Sequence, residues 1–96
     1  MTKKQAMKLY NSGFWETMTH RQRAEFQMHE ELLCMPFDVF HKAVEETLGR
    51  PVWTHEFGSS GRDGLIRELM NGAPSPTMEQ IIEMIPADKR VLVAAQ

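Results

Sequence analysis

The chain has 96 residues, 42% apolar and 25% charged, with a net charge of −2. This is the composition of one globular domain, too short for the multidomain enzyme classes that separate cofactor from substrate, and not basic like a typical nucleic-acid binder. The single Cys34 excludes an internal disulfide framework, and no apolar run approaches the roughly 20 residues that span a bilayer, so a cytoplasmic location without a membrane partner is expected.

The first element expected is a short helix over residues 2–10, with Thr2 as N-cap and Asn11-Ser12-Gly13 as its stop. Met7, Tyr10, Phe14 and Trp15 offer it an apolar edge that must dock on something, in this chain or in another subunit. A longer helix is expected from Thr17 or Thr19 to Met35, because that stretch holds no Gly or Pro before Pro36. At about 100° per residue, Ala24, Met28, Leu32 and Met35 share one face, with Phe26 and Leu33 nearly opposite. A helix apolar on two sides is either the middle of a bundle or shared with a partner.

Pro36 suits the start of the next helix and Gly49 the position after its end. Phe37, Phe40, Val44 and Leu48 form its apolar stripe. Residues 52–57 read either as a short extended piece or as a helix start at Thr54. Gly58-Ser59-Ser60-Gly61 marks a flexible joint. A short helix through Leu65, Ile66, Leu69 and Met70 should end at Asn71-Gly72, followed by a stiff linker over residues 73–76. Thr77 with Gln80 makes a capping-box pattern before Met78, Ile81, Ile82 and Ile85. Residues 90–95 read as a terminal helical turn or a lone strand. The expected architecture is therefore mainly α: one domain over residues 1–96, a small bundle of four to five short helices, with an extended segment allowed near 52–57 or at the C-terminus.

Charge is segregated along the chain. Residues 1–23 carry five basic groups and one acid, and residues 24–48 carry one basic group and six acids. The fold should bring this basic head near the acidic middle, as an intramolecular attraction or as a dipole facing a partner.

Candidate chemistry is sparse. His41 lies on the apolar stripe and needs a hydrogen-bond partner, either a backbone carbonyl or Glu45 one turn on. Cys34, His41, His55 and Glu56 are ligand types for zinc, but no CxxC, HExxH or paired knuckle spacing accompanies them, and no metal is expected. Cys34 beside Met35 and Pro36 reads as a buried packing thiol rather than a nucleophile. Residues 58–64 are rich in glycine but lack the lysine of a phosphate-binding loop. No catalytic residues and no cofactor are expected, and the chain is read as non-enzymatic. Lys3, Lys4, Lys8, Arg21 and Arg23 with Phe14 or Trp15 suggest nucleic-acid contact, against which the neighbouring acids weigh. Eight methionines suit an irregular core first and an adaptable binding surface second.

Phe40, His41, Glu45, Leu48, Gly49, Arg50, Pro51, Val52, Trp53, Thr54, His55 and Glu56 form the string F-H-x-x-x-E-x-x-L-G-R-P-V-W-T-H-E. With the residues before it, from Leu32 to Phe57, it resembles a family of short phage and prophage proteins of unknown function. The resemblance implies an origin in a viral or mobile-element genome and, from that origin, a protein that binds a host protein in the bacterial cytoplasm and inhibits or modulates it, including factors of antiviral defence. Trp15, Phe26, Leu33 and Trp53 are the expected partner-binding residues, being of types that anchor interfaces. The arrangement also allows a homo-oligomer. An alternative reading makes His41, Arg50, His55 and Glu56 a polar pocket for a small ligand or metal. A structural alternative buries Trp53, with Pro51 and His55 locking one difficult turn.

Overall fold

A computed structural model of the protein describes residues 1–58, residues 61–90 and Leu92. Five α-helices follow one another: α1 (Lys3–Ser12), α2 (His20–Met28), α3 (Phe37–Leu48), α4 (Arg62–Met70) and α5 (Met78–Glu83), with 3₁₀ turns at Phe14–Thr17, Thr54–Phe57 and Ala87–Lys89. The architecture is mainly helical as expected, and there is no strand among the described residues. Residues 52–57 resolve into an extended step at Trp53 and a 3₁₀ turn from Thr54. Of the expected joint, Ser59 and Ser60 lie outside the described residues, and the flanking glycines are joined by Gly61 N–H donating to the Gly58 carbonyl. Most of the terminal segment 90–95 also lies outside the described residues.

The helix starts follow their capping chemistry. Thr2, Thr19 and Thr77 each accept a hydrogen bond from the backbone three residues on, and Gln5, Gln22 and Gln80 reach back to the cap backbone N–H. α3 begins after Pro36 and ends at Gly49, whose φ of 71° is a left-handed position that L side chains rarely adopt.

The long helix expected to reach Met35 stops at Met28. Its terminator is Gln27, a buried residue whose amide serves as a backbone partner for the chain that follows. Gln27 Nε2 donates to the carbonyls of Glu30 (3.1 Å) and Leu32 (2.8 Å), and Gln27 Oε1 accepts from Cys34 N–H (2.8 Å). Arg62, from the start of α4, donates to the carbonyls of Met28 (2.6 Å) and Glu30 (3.2 Å). Groups that would continue a helix are satisfied elsewhere, so the backbone turns and reaches Pro36.

This shortening changes what faces where. Ala24, Phe26, Gln27 and Met28 are all buried, which makes α2 the central element of the bundle. Phe26 is therefore corrected from a surface anchor to a core residue: it is fully buried, with its ring edge-on to Phe14 at 5.1 Å. Leu33, freed from the helix, is 47% exposed. In α1 the inward residues are Gln5, Ala6 and Leu9, whereas Met7 and Tyr10, expected as a docked edge, face outward. The core gathers Leu9, Phe14, Met18, Met28, Met35, Val44, Leu65, Leu69 and Ile85 around α2. Three methionines thus fill interior space, as their composition suggested.

Replacing Gln27 by Ala leaves the Cys34 N–H without its acceptor, strips the Leu32 carbonyl of its amide donor and leaves the Glu30 carbonyl to Arg62 alone, at roughly 1–3 kcal/mol for each buried group left unmade. We expect Gln27→Ala to lower stability by about 2–4 kcal/mol in urea unfolding. A loss below about 0.5 kcal/mol, the range of ordinary surface changes, contradicts this account of the turn.

Candidate functional site

The segment from Gly49 to Phe57 is held by side chains rather than by regular backbone pairing. α3 presents His41 and Glu45 one turn apart, and together they take both backbone polar groups of Val52: His41 Nε2 meets the Val52 carbonyl, and Glu45 Oε2 accepts from Val52 N–H at 2.8 Å. The two side chains also approach each other at 3.5 Å. The pair acts as a substitute strand edge, satisfying a backbone that belongs to no sheet. Both partners expected for His41, a backbone carbonyl and Glu45, are therefore realised.

A second lock lies on the other side of the turn. Arg50 Nη2 reaches Glu56 at 3.1 Å and Glu68 at 2.8 Å, while Arg50 Nε donates to the second Glu68 oxygen at 2.9 Å. Glu56 in turn accepts from Trp53 N–H at 2.8 Å. The fork–fork pairing with Glu68 of α4 fixes the guanidinium plane. Hydrogen bonding to Arg50 holds the carboxyls of Glu56 and Glu68 below the ordinary glutamate value of 4.5. Gly61 completes the close approach, because a Cβ there would meet the Glu56 carbonyl at 2.6 Å. Beneath the turn, Phe57 packs against Phe37, Phe40 and His41 with ring centroids 5.0–5.4 Å apart.

Trp53 stands on this locked backbone with 71% of its surface exposed. The reading that buries Trp53 beneath Pro51 and His55 is corrected: Val52 points inward, so its neighbour points out. Of the other residues expected to bind a partner, Leu33 is exposed, Phe26 is in the core, and Trp15 is half-buried against it. The Trp15 carbonyl accepts from Arg23 Nε at 2.8 Å.

The alternative pocket does not assemble. Arg50 and Glu56 meet, but His41 is engaged by Val52 and Glu45, and His55 is exposed. The polar atoms of Arg50 and Glu56 that a ligand would use are already committed to each other, to Glu68 and to Trp53 N–H. No group of three or more His, Cys, Asp or Glu side chains is placed to hold a metal among the described residues. Cys34 is fully buried, and burial, reinforced by Glu30, pushes its thiol up to about 12. The basic head is also dispersed: Arg21 donates to the Leu69 carbonyl and pairs with Glu25, Arg23 donates to the carbonyls of Trp15 and Glu16, and Phe14 is buried.

Sequence reasoning missed Glu68 and Gln27. Glu68 lies 18 residues from Arg50, beyond any local pattern. Gln27 did leave a signal, a polar residue set between Phe26 and Met28 where a buried amide requires partners.

Two outcomes test these assignments. Arg50→Met should destabilise the chain at neutral pH. Carboxylates with folded pKa values held below their unfolded values contribute stability that is present above pH ~4.5 and lost as pH falls through the folded values. The gap between wild type and Arg50→Met in thermal unfolding should therefore be widest at neutral pH and narrow as pH falls below the ordinary glutamate value of 4.5; a gap independent of pH contradicts the lock. Cys34 should resist iodoacetamide at pH 8 in the folded protein and react readily in urea, read by mass spectrometry. Fast labelling of the folded state contradicts its burial.

No helix among the described residues is long and apolar enough to cross a membrane. No match to a curated protein or to a solved structure was found. A family model described as a domain of unknown function, DUF7736, matches residues 20–71. That span begins with α2 and ends at the left-handed Asn71 that closes α4, so it holds the Gln27 turn, the Arg50 lock and Trp53. Since it covers more than half of the chain, the protein belongs to the DUF7736 family.

Proposed function

We propose that the chain is a small non-enzymatic accessory protein of phage or prophage origin that binds a host protein in the bacterial cytoplasm and inhibits or modulates it, including factors of antiviral defence. The observation that carries this reading is Trp53: a large aromatic side chain, 71% exposed, on a backbone held at Val52 and Trp53 by His41, Glu45 and Glu56. The backbone beneath it is already ordered before any partner arrives, which reduces the entropy lost on binding. Tryptophan is among the residue types that dominate interface energetics once desolvated. Its own fold gains little from leaving it in water, so the locks around it are better explained by presentation than by burial.

Non-enzymatic action fits the same surroundings. The cleft lined by Glu45, Glu46, Gly49, Arg50 and Pro51 has its Arg50 engaged with Glu56 and Glu68 and its Glu45 holding Val52 N–H. A ligand pocket built from His41, Arg50, His55 and Glu56 has no specific observation in its favour.

The test is affinity capture from a lysate of the bacterial host, followed by binding and activity measurements on the captured protein with wild type and Trp53→Ala. Trp53→Ala should change stability by less than about 0.5 kcal/mol, as an exposed site does, yet weaken the partner's Kd at least about 30-fold, as expected for an interface anchor. The captured protein's own activity should change on binding wild type. Binding indifferent to Trp53, or a partner whose activity is unmoved, overturns the proposal.

A further inference from the structure

The charges that the fold leaves unused point to a second surface. Lys3, Lys4 and Lys8 of α1 are exposed, and none makes an ion pair or hydrogen bond among the described residues. Their placement costs the helix stability. Lys3 and Lys4 occupy its first turn, where no acid is present and the macrodipole disfavours positive charge, and Lys4 repels Lys8 one turn on. At about 100° per residue the three lysines share an arc of roughly 160° with Met7 and Tyr10, which are 57% and 41% exposed. Local rules broken without a structural return are expected where a surface serves binding.

The complementary surface lies on the same chain. From Glu31 to Asp38 the turn after α2 and the start of α3 expose Glu31, Leu32, Leu33, Phe37 and Asp38. Neither acid makes an ion pair among the described residues. The two surfaces are neighbours: Met1, at the head of α1, meets Cys34 with sulfur atoms 3.5 Å apart, and lines a groove with Glu30, Glu31 and Leu32. Around Met1 the molecule therefore joins this side of α1, an apolar strip edged by lysines, to the 31–38 surface, an apolar strip edged by acids.

We propose that this joined surface is a self-complementary interface, in which α1 of one copy lies against the 31–38 surface of a second copy and the reverse contact forms across a two-fold axis. Adjacent patches of opposite charge are what such an isologous arrangement needs, because each copy presents both halves. A second copy neutralises the three lysines and two acids together and covers five exposed apolar side chains. The interface is distinct from Trp53 and does not depend on any host protein.

The experiment is sedimentation of the full chain over a concentration series, at low and high salt, with two charge-reversed variants. Lys4→Glu/Lys8→Glu places acids against Glu31 and Asp38, and Glu31→Lys/Asp38→Lys places lysines against α1. Each variant alone should dissociate at least about tenfold more readily than wild type, since like charges then face each other at both contacts. An equimolar mixture of the two should recover the dimer, because both contacts regain opposite charges. Lys4→Glu also relieves the unfavourable dipole interaction, so loss of the dimer in that variant is not loss of the fold. Wild-type association should weaken with salt. A wild type that is monomeric at the highest attainable concentration overturns the proposal, as does a dimer indifferent to either reversal or a mixture that fails to reassemble. If a monomeric wild type instead binds an acidic host protein through Lys4 and Lys8, the complementary surface belongs to that protein and not to a second copy.

Discussion

The fold depends on how α2 ends. Gln27 on one side and Arg62 on the other take the carbonyls of Met28, Glu30 and Leu32 and the N–H of Cys34. Each of these groups sits close to the core, where a polar atom without a partner costs more than a hydrogen bond returns. Because they are satisfied by side chains, the chain can leave the helical path, place Cys34 and Met35 inside, and start α3 at Pro36 in position to pack along α2. Arg62 ties the same turn to α4, so three helices meet at one set of carbonyls. Without this junction the Phe26 face and the Met28 face of α2 have no single set of neighbours to bury them.

The same device recurs at smaller scale. Arg21 reaches the Leu69 carbonyl at the end of α4, Arg23 the carbonyls of the first 3₁₀ turn, and Arg90 those of Glu83 and Ile85 after α5. None of α1, α2, α3 or α5 has a basic residue in its own last turn. Arginines from elsewhere in the chain complete the ends of α2 (Arg62), α4 (Arg21) and α5 (Arg90), joining short helices that could not stand alone. A guanidinium with five donors in a fixed fork suits this work better than an ammonium, which is why arginine and lysine are divided between interior junctions and outer surface.

What was legible in the sequence was local. Thr2, Thr77, Gly49 and Asn71 announce helix ends through the backbone geometry each supports, and the Phe40 and Val44 stripe announces the inner face of α3. His41 could be read because its partner Glu45 is one turn away on the same helix. The end of α2 was not legible, since no Gly or Pro marks it and the interaction that stops the helix is a side-chain amide folding forward over seven residues. Helical periodicity alone then carried Leu33 and Phe26 onto a shared face that does not exist. The alternative that buried Trp53 failed for a related reason, since only the spatial meeting of Glu56, Arg50 and Glu68 shows that the turn is held without it.

The separation of roles between cations bears on the charge segregation of the sequence. Among the described residues, the one ion pair between the basic head and the acidic middle is Arg21 with Glu25, an i,i+4 pair that any helix could form. The head's remaining arginine serves carbonyls, and its lysines stand in water beside Met7 and Tyr10. A simple intramolecular attraction between the two segments would have drawn Lys4 or Lys8 toward Glu31 or Asp38, at a gain of under about 1 kcal/mol for each exposed pair. The chain forgoes that small gain at both ends while keeping the opposed surfaces side by side. Charge that is neither neutralised within the fold nor scattered over it is available to whatever molecule brings the matching pattern, and the nearest matching pattern is the chain's own.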